Sequence, residues 1–166
     1  MREFVRDRDR LNHILEAISR ILEFGKDKTI EELESDSLRF YGIVKNIEII
    51  GEASFKLTKA YRNQHPETPW DIISRMRHVL VHDYYQIDAE QIWNVMQNDL
   101  EPLKEQIISQ ISNTDWEKWE KNELAISESA VRKSLIQTAT RMKRDGLNNQ
   151  QIMRYTGLSI EEIEEL

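Results

Sequence analysis

Helical periodicity runs through this chain, and it predicts an all-α protein: an antiparallel bundle of four or five helices followed by a small helical extension. Three observations carry that reading. Apolar residues recur at three- and four-residue spacing in every long segment. Only five glycines and three prolines interrupt 166 residues. No run alternates apolar and polar residues as a half-buried strand would.

The first helix is expected over about Arg6 to Phe24, where Leu11, Ile14, Leu15, Ile18, Ile21 and Leu22 form one stripe. Gly25 ends it, and Thr29 with Glu32 reads as a capping box for a short turn of helix. A long second helix is expected from roughly Asp36 to Tyr61. Gly51, Ala53 and Ser54 in its middle leave little side-chain bulk, so a neighbouring helix can approach there. The third has the clearest start: Thr68 as cap, Pro69 at the first helical position, and Asp71 where a carboxylate suits the helix dipole. Ile72, Ile73, Met76, Val79 and Leu80 are expected to point inward, with Val81 also anchoring the backbone in the core. The pattern breaks around Asp83 to Gln86, and Asp88 with Gln91 opens a fourth helix from Ala89 to about Ile111, which Pro102 can bend or divide.

These four helices place a bundle in residues 1–112, and Ser112 to Asp115 forms the boundary to an extension, 115–166. Thr114 with Glu117 reads as a cap for a long, mostly polar helix from about Asp115 to Arg144, stopped by Gly146. Two small helices follow, Asn148 to Tyr155 and Ile160 to Leu166, the second opened by a Ser159–Glu162 capping box.

No stretch approaches eighteen apolar residues, so no membrane span is expected. The charged opening residues are unlike a signal peptide, and cysteine is absent, which removes disulfides and thiolate metal sites. A cytoplasmic protein fits these features. The net charge of −7 argues against broad nucleic-acid affinity while leaving room for a local phosphate site. The one basic stretch is Arg132, Lys133, Arg141, Lys143, Arg144 and Arg154, a candidate contact for nucleic acid or a partner.

The richest chemistry lies in Arg75-Met-Arg-His-Val-Leu-Val-His-Asp-Tyr-Tyr85. Arg77 supplies a permanent cation, His78 and His82 an acid/base near neutrality, and Tyr84 a phenol. That set suits a phosphodiester, which needs charge neutralised at phosphate and protons moved at the flanking oxygens. On a helix His78 and His82 share a face, whereas Arg77 and His82 lie about 140° apart and converge only at a helix end or across a subunit seam. A metal site is poorly supported, since no glutamate sits between the histidines as in H-E-x-x-H. No metal or cofactor is expected. The competing reading makes His78 a partner for a backbone carbonyl and the tyrosines a core rim.

Arg77-His78-x3-His82-x-Tyr84 resembles the R-x4-H-x-Y motif of HepT-type proteins in the HEPN superfamily. The likeness extends through Arg8 to Ile18, Glu48-Ile-Ile-Gly-Glu-Ala53, Pro69-Trp70 with Ile73 and Met76, Ile87-Asp88, Trp93 and Asp99-Leu-x-Pro-Leu103, covering about residues 6 to 110. The resemblance implies a two-fold homodimer whose cleft is lined by both subunits' motifs. It further implies an endoribonuclease toxin that works without metal, the toxin half of a type VII-like toxin–antitoxin pair with an MntA-type nucleotidyltransferase as antitoxin. By carry-over Arg77 and His82 form the catalytic pair, His78 supports them, and Tyr84 is the residue silenced by AMP transfer. The alternatives are a non-catalytic module that binds the nucleotidyltransferase and accepts nucleotide on Tyr84, or a DNA-binding regulator acting through the tail. Residues 142–166 depart from the family pattern; they resemble a segment ending transposase-associated nucleases and part of a helix-turn-helix. Glu161, Glu162, Glu164 and Glu165 there oppose DNA phosphate, which favours a docking or dimer-embracing appendage over a DNA reader.

Overall fold

The structure is a computed structural model that describes residues 6–82 and 87–166, with the backbone alone described at His82 and Ser127. All regular structure among the described residues is helical. In order these are α1 (Asp7–Gly25), α2 (Ile30–Ser35), α3 (Ser37–Lys56), α4 (Lys59–Gln64), α5 (Trp70–His82), α6 (Ala89–Asn98), α7 (Leu100–Asn113), α8 (Trp116–Arg144), α9 (Asn149–Thr156) and α10 (Ile160–Glu164). The all-α class therefore stands, but among the described residues seven helices precede Thr114 where four main ones and a short turn are expected. The chain falls into two compact units that divide between Thr114 and Asp115.

In the first unit, α1 packs on α3, α3 on α5, and α7 closes against α1 and α6. The stripe on α1 buries Leu11, Ile14, Ala17, Ile18 and Ile21, and α3 contributes Ile43, Val44, Ile47 and Ile50. Ile92, Met96, Leu100, Leu103 and Ile107 complete the core from α6 and α7. Full burial of such side chains contributes about 1.5–3 kcal/mol each, which is why helical spacing and core membership coincide so closely in α1.

Where the elements differ from expectation, long-range polar contacts explain most of the difference. The helix expected from Asp36 to Tyr61 is two, interrupted at Leu57 and Thr58. Asp7, fully buried at the start of α1, accepts from the Thr58 backbone N–H at 2.8 Å and from its hydroxyl at 2.6 Å. The same hydroxyl accepts from Tyr61 N–H and caps α4. The helix expected from Ala89 to Ile111 breaks at Asp99, which leaves Pro102 in the first turn of α7, where a missing N–H costs little.

Thr68 is not spent on capping α5. It is buried, donates to Gln106 Oε1 at 3.1 Å and accepts from Gln110 Nε2 at 2.8 Å. Gln110 also donates to Glu67 at 2.8 Å and accepts from the Tyr61 hydroxyl at 3.3 Å, so one amide ties α4, the loop before α5 and α7 together. Burial pushes the Tyr61 phenol well up from its ordinary value, so it stays a donor. The cap expected from Thr114 falls instead to Asp115, which accepts from Lys118 N–H, while Thr114 donates back to the Gln110 carbonyl.

The second unit gathers the last third of α8 with α9 and α10 around Ala139, Ile152, Leu158 and Ile163. Gly146 stops α8 at φ +87°, with Leu147 N–H reaching the Met142 carbonyl and Gly146 N–H the Lys143 carbonyl, the bond pair of a Schellman end. Reciprocal capping boxes open α9 (Asn148, Gln151) and α10 (Ser159, Glu162). Lys143 donates to the Ile163 and Glu164 carbonyls at 2.8 and 3.2 Å, and Arg132 pairs with Glu162. Two cations of the expected basic patch thus hold α10 in place.

Candidate functional site

Helix α5 carries the site and is anchored at its start by Trp70, whose ring is buried and whose Nε1 donates to the His65 carbonyl at 2.8 Å. Leu80 is buried two residues before its end. Between them α5 lies almost backbone to backbone on α3 at Gly51. A methyl group there would stand 2.5 Å from Arg77 Cβ and 3.1 Å from the Ile73 carbonyl oxygen. The small residue seen in the sequence is therefore the point at which Arg77 is pressed against the bundle.

From that point the Arg77 side chain runs to the next residue of α3. Its Nε stands 2.8 Å from Glu52 Oε2, and both side chains are a little over one third exposed. Glu52 Oε2 accepts no aligned hydrogen bond, so the approach is one of charge to charge. The other carboxylate oxygen lies 2.8 Å from Lys56 Nζ, one turn along α3. The hydrogen bond from Lys56, aided by the charge of Arg77 and opposed by partial burial, holds the Glu52 carboxyl below its ordinary value. At neutral pH the row Lys56–Glu52–Arg77 is thus plus, minus, plus.

His78 is exposed on α5, and His82 is its last residue. Tyr84 lies outside the described residues, as does the expected break from Asp83 to Gln86. The structure sets Arg77 against α3, leaves His78 exposed next along α5, and brings the backbone of His82 one turn beyond His78.

The expectation that Ile72, Val79 and Val81 point into the core is wrong: they are 63%, 53% and 41% exposed. With Leu80 and Trp70 inward, these residues fall on the outer half of the helix, which also presents His78.

Glu52 is the residue that sequence reasoning missed as a site residue. It sits inside Glu48-Ile-Ile-Gly-Glu-Ala53, but its partner is twenty-five positions away and no local pattern joins them. Among the described residues no group of three or more histidine or carboxylate side chains is placed to hold a metal ion, and no helix is long and apolar enough to cross a membrane. Of the basic candidates in the second unit, Lys133, Arg141, Arg144 and Arg154 are exposed, whereas Arg132 and Lys143 are engaged as described above.

Fold and site together define an all-α bundle that carries Arg77 and an exposed His78 on one helix, the arginine set beside an acidic neighbour. The chain belongs to the ribonuclease HepT-like family, whose model matches residues 14–110. It is 35% identical over 97 residues to a probable ribonuclease HepT of Thermococcus cleftensis, covering 58% of this chain and 88% of that one. It is 33% identical over 135 residues to a Methanocaldococcus jannaschii protein whose name joins gamma-glutamylcyclotransferase to a candidate RNase. That alignment covers 81% of this chain and spans 61% of the relative's length. A further candidate RNase of the same organism is 33% identical over 109 residues, or 63% of this chain and 89% of that one. No solved structure matches the chain.

Proposed function

We propose that the protein is an endoribonuclease that cleaves RNA without metal, with Arg77 binding the scissile phosphate and His82 moving a proton. The observation that carries this reading is Arg77 itself: a permanent cation held half-exposed on the helix that bears His78 and His82, within the segment the family matches. In the proposed step the 2′-oxygen attacks its own phosphorus as the bond to the 5′-oxygen breaks. One proton leaves the 2′-hydroxyl and one reaches the 5′-oxygen, giving a 2′,3′-cyclic phosphate and a 5′-hydroxyl end. Arg77 stabilises the charge that builds on the non-bridging oxygens. Proton transfer by His82, as acid or base, is worth about 10²–10⁴-fold.

A second copy of the chain completes the cleft in this proposal. Ile72, Val79 and Val81 supply an apolar border beside His78 that a two-fold partner would cover, and the partner's motif would face Arg77 from across the seam. Such an RNase acts as the toxin half of a toxin–antitoxin pair. A minimal nucleotidyltransferase of the MntA type would silence it by AMP transfer to Tyr84, because the adduct puts bulk and negative charge where RNA phosphate must sit. The second unit serves as a docking appendage, since two of its cations are already engaged within it.

The test is cleavage of total RNA in the presence of a chelator by the wild-type protein, Arg77→Ala and His82→Ala. Both variants are expected to lose cleavage while keeping the wild-type helical signal and elution volume; unchanged cleavage by either overturns the reading. Mass spectrometry after incubation with ATP and the nucleotidyltransferase is expected to find added AMP on the wild type and none on Tyr84→Phe.

A further inference from the structure

We infer that Glu52 is a positioning residue for the phosphate-binding guanidinium, fixing Arg77 from its Nε side so that the opposite Nη edge is the one offered to phosphate. The inference rests on the reading of Arg77 given above but concerns a residue that reading does not use.

The geometry is specific. Gly51 fixes where the Arg77 backbone lies, because α3 and α5 touch there with no room for a methyl group. That contact alone leaves the long side chain its own rotations. Glu52, the next residue of α3, stands 2.8 Å from the guanidinium Nε and narrows that freedom through its charge. Lys56 holds the far oxygen of the same carboxylate at 2.8 Å, so Glu52 is itself oriented from behind. An arginine has two edges that can grip a carboxylate or phosphate, one formed by Nε with an Nη and one by the two Nη nitrogens. The Glu52 charge stands beside Nε, on the side of the first, and leaves the second for the substrate.

A carboxylate beside a phosphate site also carries a cost, since it weakens the local positive potential. Lys56 offsets it: the row Lys56–Glu52–Arg77 keeps a net charge of plus one. Glu52 therefore orients Arg77 without abolishing its attraction for an anion. Orientation matters most in the transition state, where misplacement by an ångström can cost about 100-fold in rate. The defect expected from losing Glu52 thus falls on kcat rather than KM.

The experiment compares wild type, Glu52→Gln, Glu52→Asp and Arg77→Lys. One arm follows kcat and KM on a fluorophore–quencher oligoribonucleotide of mixed sequence. The other follows the Arg77 Nε–H resonance by nitrogen-15 NMR, assigned by its loss in Arg77→Lys, during titration with inorganic phosphate. Glu52→Gln is expected to lower kcat by about 10- to 100-fold with KM changed less than about threefold. It is also expected to shift the Nε–H resonance in the protein alone. Glu52→Asp keeps the charge one methylene further back and should recover part of both signals.

Cleavage by Glu52→Gln within about twofold of wild type, or an Nε–H resonance unmoved by either substitution, overturns the inference. If the wild type cleaves no RNA, the ribonuclease reading fails while the resonance and its phosphate titration still decide the role of Glu52. If Glu52→Gln does not fold, Glu52→Asp carries the comparison.

Discussion

Gly51 of α3 and Arg77 of α5 meet so closely that the missing Cβ of the one would lie 2.5 Å from the Cβ of the other. This contact joins stability to function in a single place, because a close helix crossing is also the seat of the candidate phosphate-binding residue. Gly51→Ala must push α5 outward, and overpacking of this kind costs about 1–3 kcal/mol. Urea unfolding of the variant should show the loss, and cleavage should fall further than stability explains because Arg77 moves with its helix. A variant as stable and active as wild type would show that α5 slides freely at this point.

The break between α3 and α4 depends on Asp7. Its carboxylate is fully buried and takes both the N–H and the hydroxyl of Thr58, bonds whose partners are 51 positions apart. Asp7→Ala leaves both donors without that acceptor, and charge-assisted bonds of this kind contribute about 1.5–3 kcal/mol. The urea midpoint should drop accordingly, and amide exchange should quicken first at α4. Unaltered protection at Tyr61 and Arg62 would argue that the break is set by local sequence instead.

How far the sequence reveals such features depends on the range of the interaction. Element types were legible because amphipathic spacing is local: α1, the Thr29 cap of α2, α8 and the Ser159 cap of α10 all follow it. The break at Thr58 and the diversion of Thr68 from capping were not, since each turns on an acceptor or donor far along the chain. Ile72, Val79 and Val81 failed for another reason. An apolar residue on a helix looks the same in sequence whether its own bundle or something else is to cover it. In the candidate site the arginine and histidines stood out by chemistry alone, whereas Glu52 looked like one more surface acid on a charged helix. Only the crossing at Gly51 shows that Glu52 is an acid that faces Arg77.

Gln110 offers a cleaner measure of a polar network. It bonds Tyr61, Glu67 and Thr68 at once from inside the first unit. Gln110→Leu matches its size and removes every one of these bonds, leaving the buried Thr68 hydroxyl with one partner fewer at a cost of about 1–3 kcal/mol. Tyr61→Phe removes only one of them. It should cost less, and the double variant should cost less than the sum because the two share a bond. Strict additivity would show that the bond between them contributes nothing.

Acid should reveal the charge on Glu52. The folded protein holds this carboxyl below its ordinary value of 4.5, first through Lys56 and then through Arg77. A group whose folded value is depressed contributes its stability in full above the unfolded value and loses it as the pH falls through the folded one. The difference in urea midpoint between wild type and Glu52→Gln should therefore be constant well above the ordinary carboxylate value and shrink as the pH falls through and below it. A difference that instead grows on acidification would mean that the neutral carboxyl is the form the fold prefers.

The second unit can be tested through Lys143. Helix α10 has five residues, too few to persist by its own hydrogen bonds, and its exposed acids give it no reason to stay folded in water. It is held by Ile163 in the small core and by two bonds from the Lys143 ammonium to its last carbonyls, where a cation also answers the negative end of the helix dipole. Lys143→Met keeps most of the apolar stem and deletes the charge. Amide exchange in α10 should quicken about tenfold or more, given the worth of hydrogen bonds to a charged donor. Arg144→Met, one residue on and exposed, should leave α10 as protected as before. If the two variants behave alike, the ammonium is incidental and the Ile163 core with the Arg132–Glu162 pair keeps the helix in place.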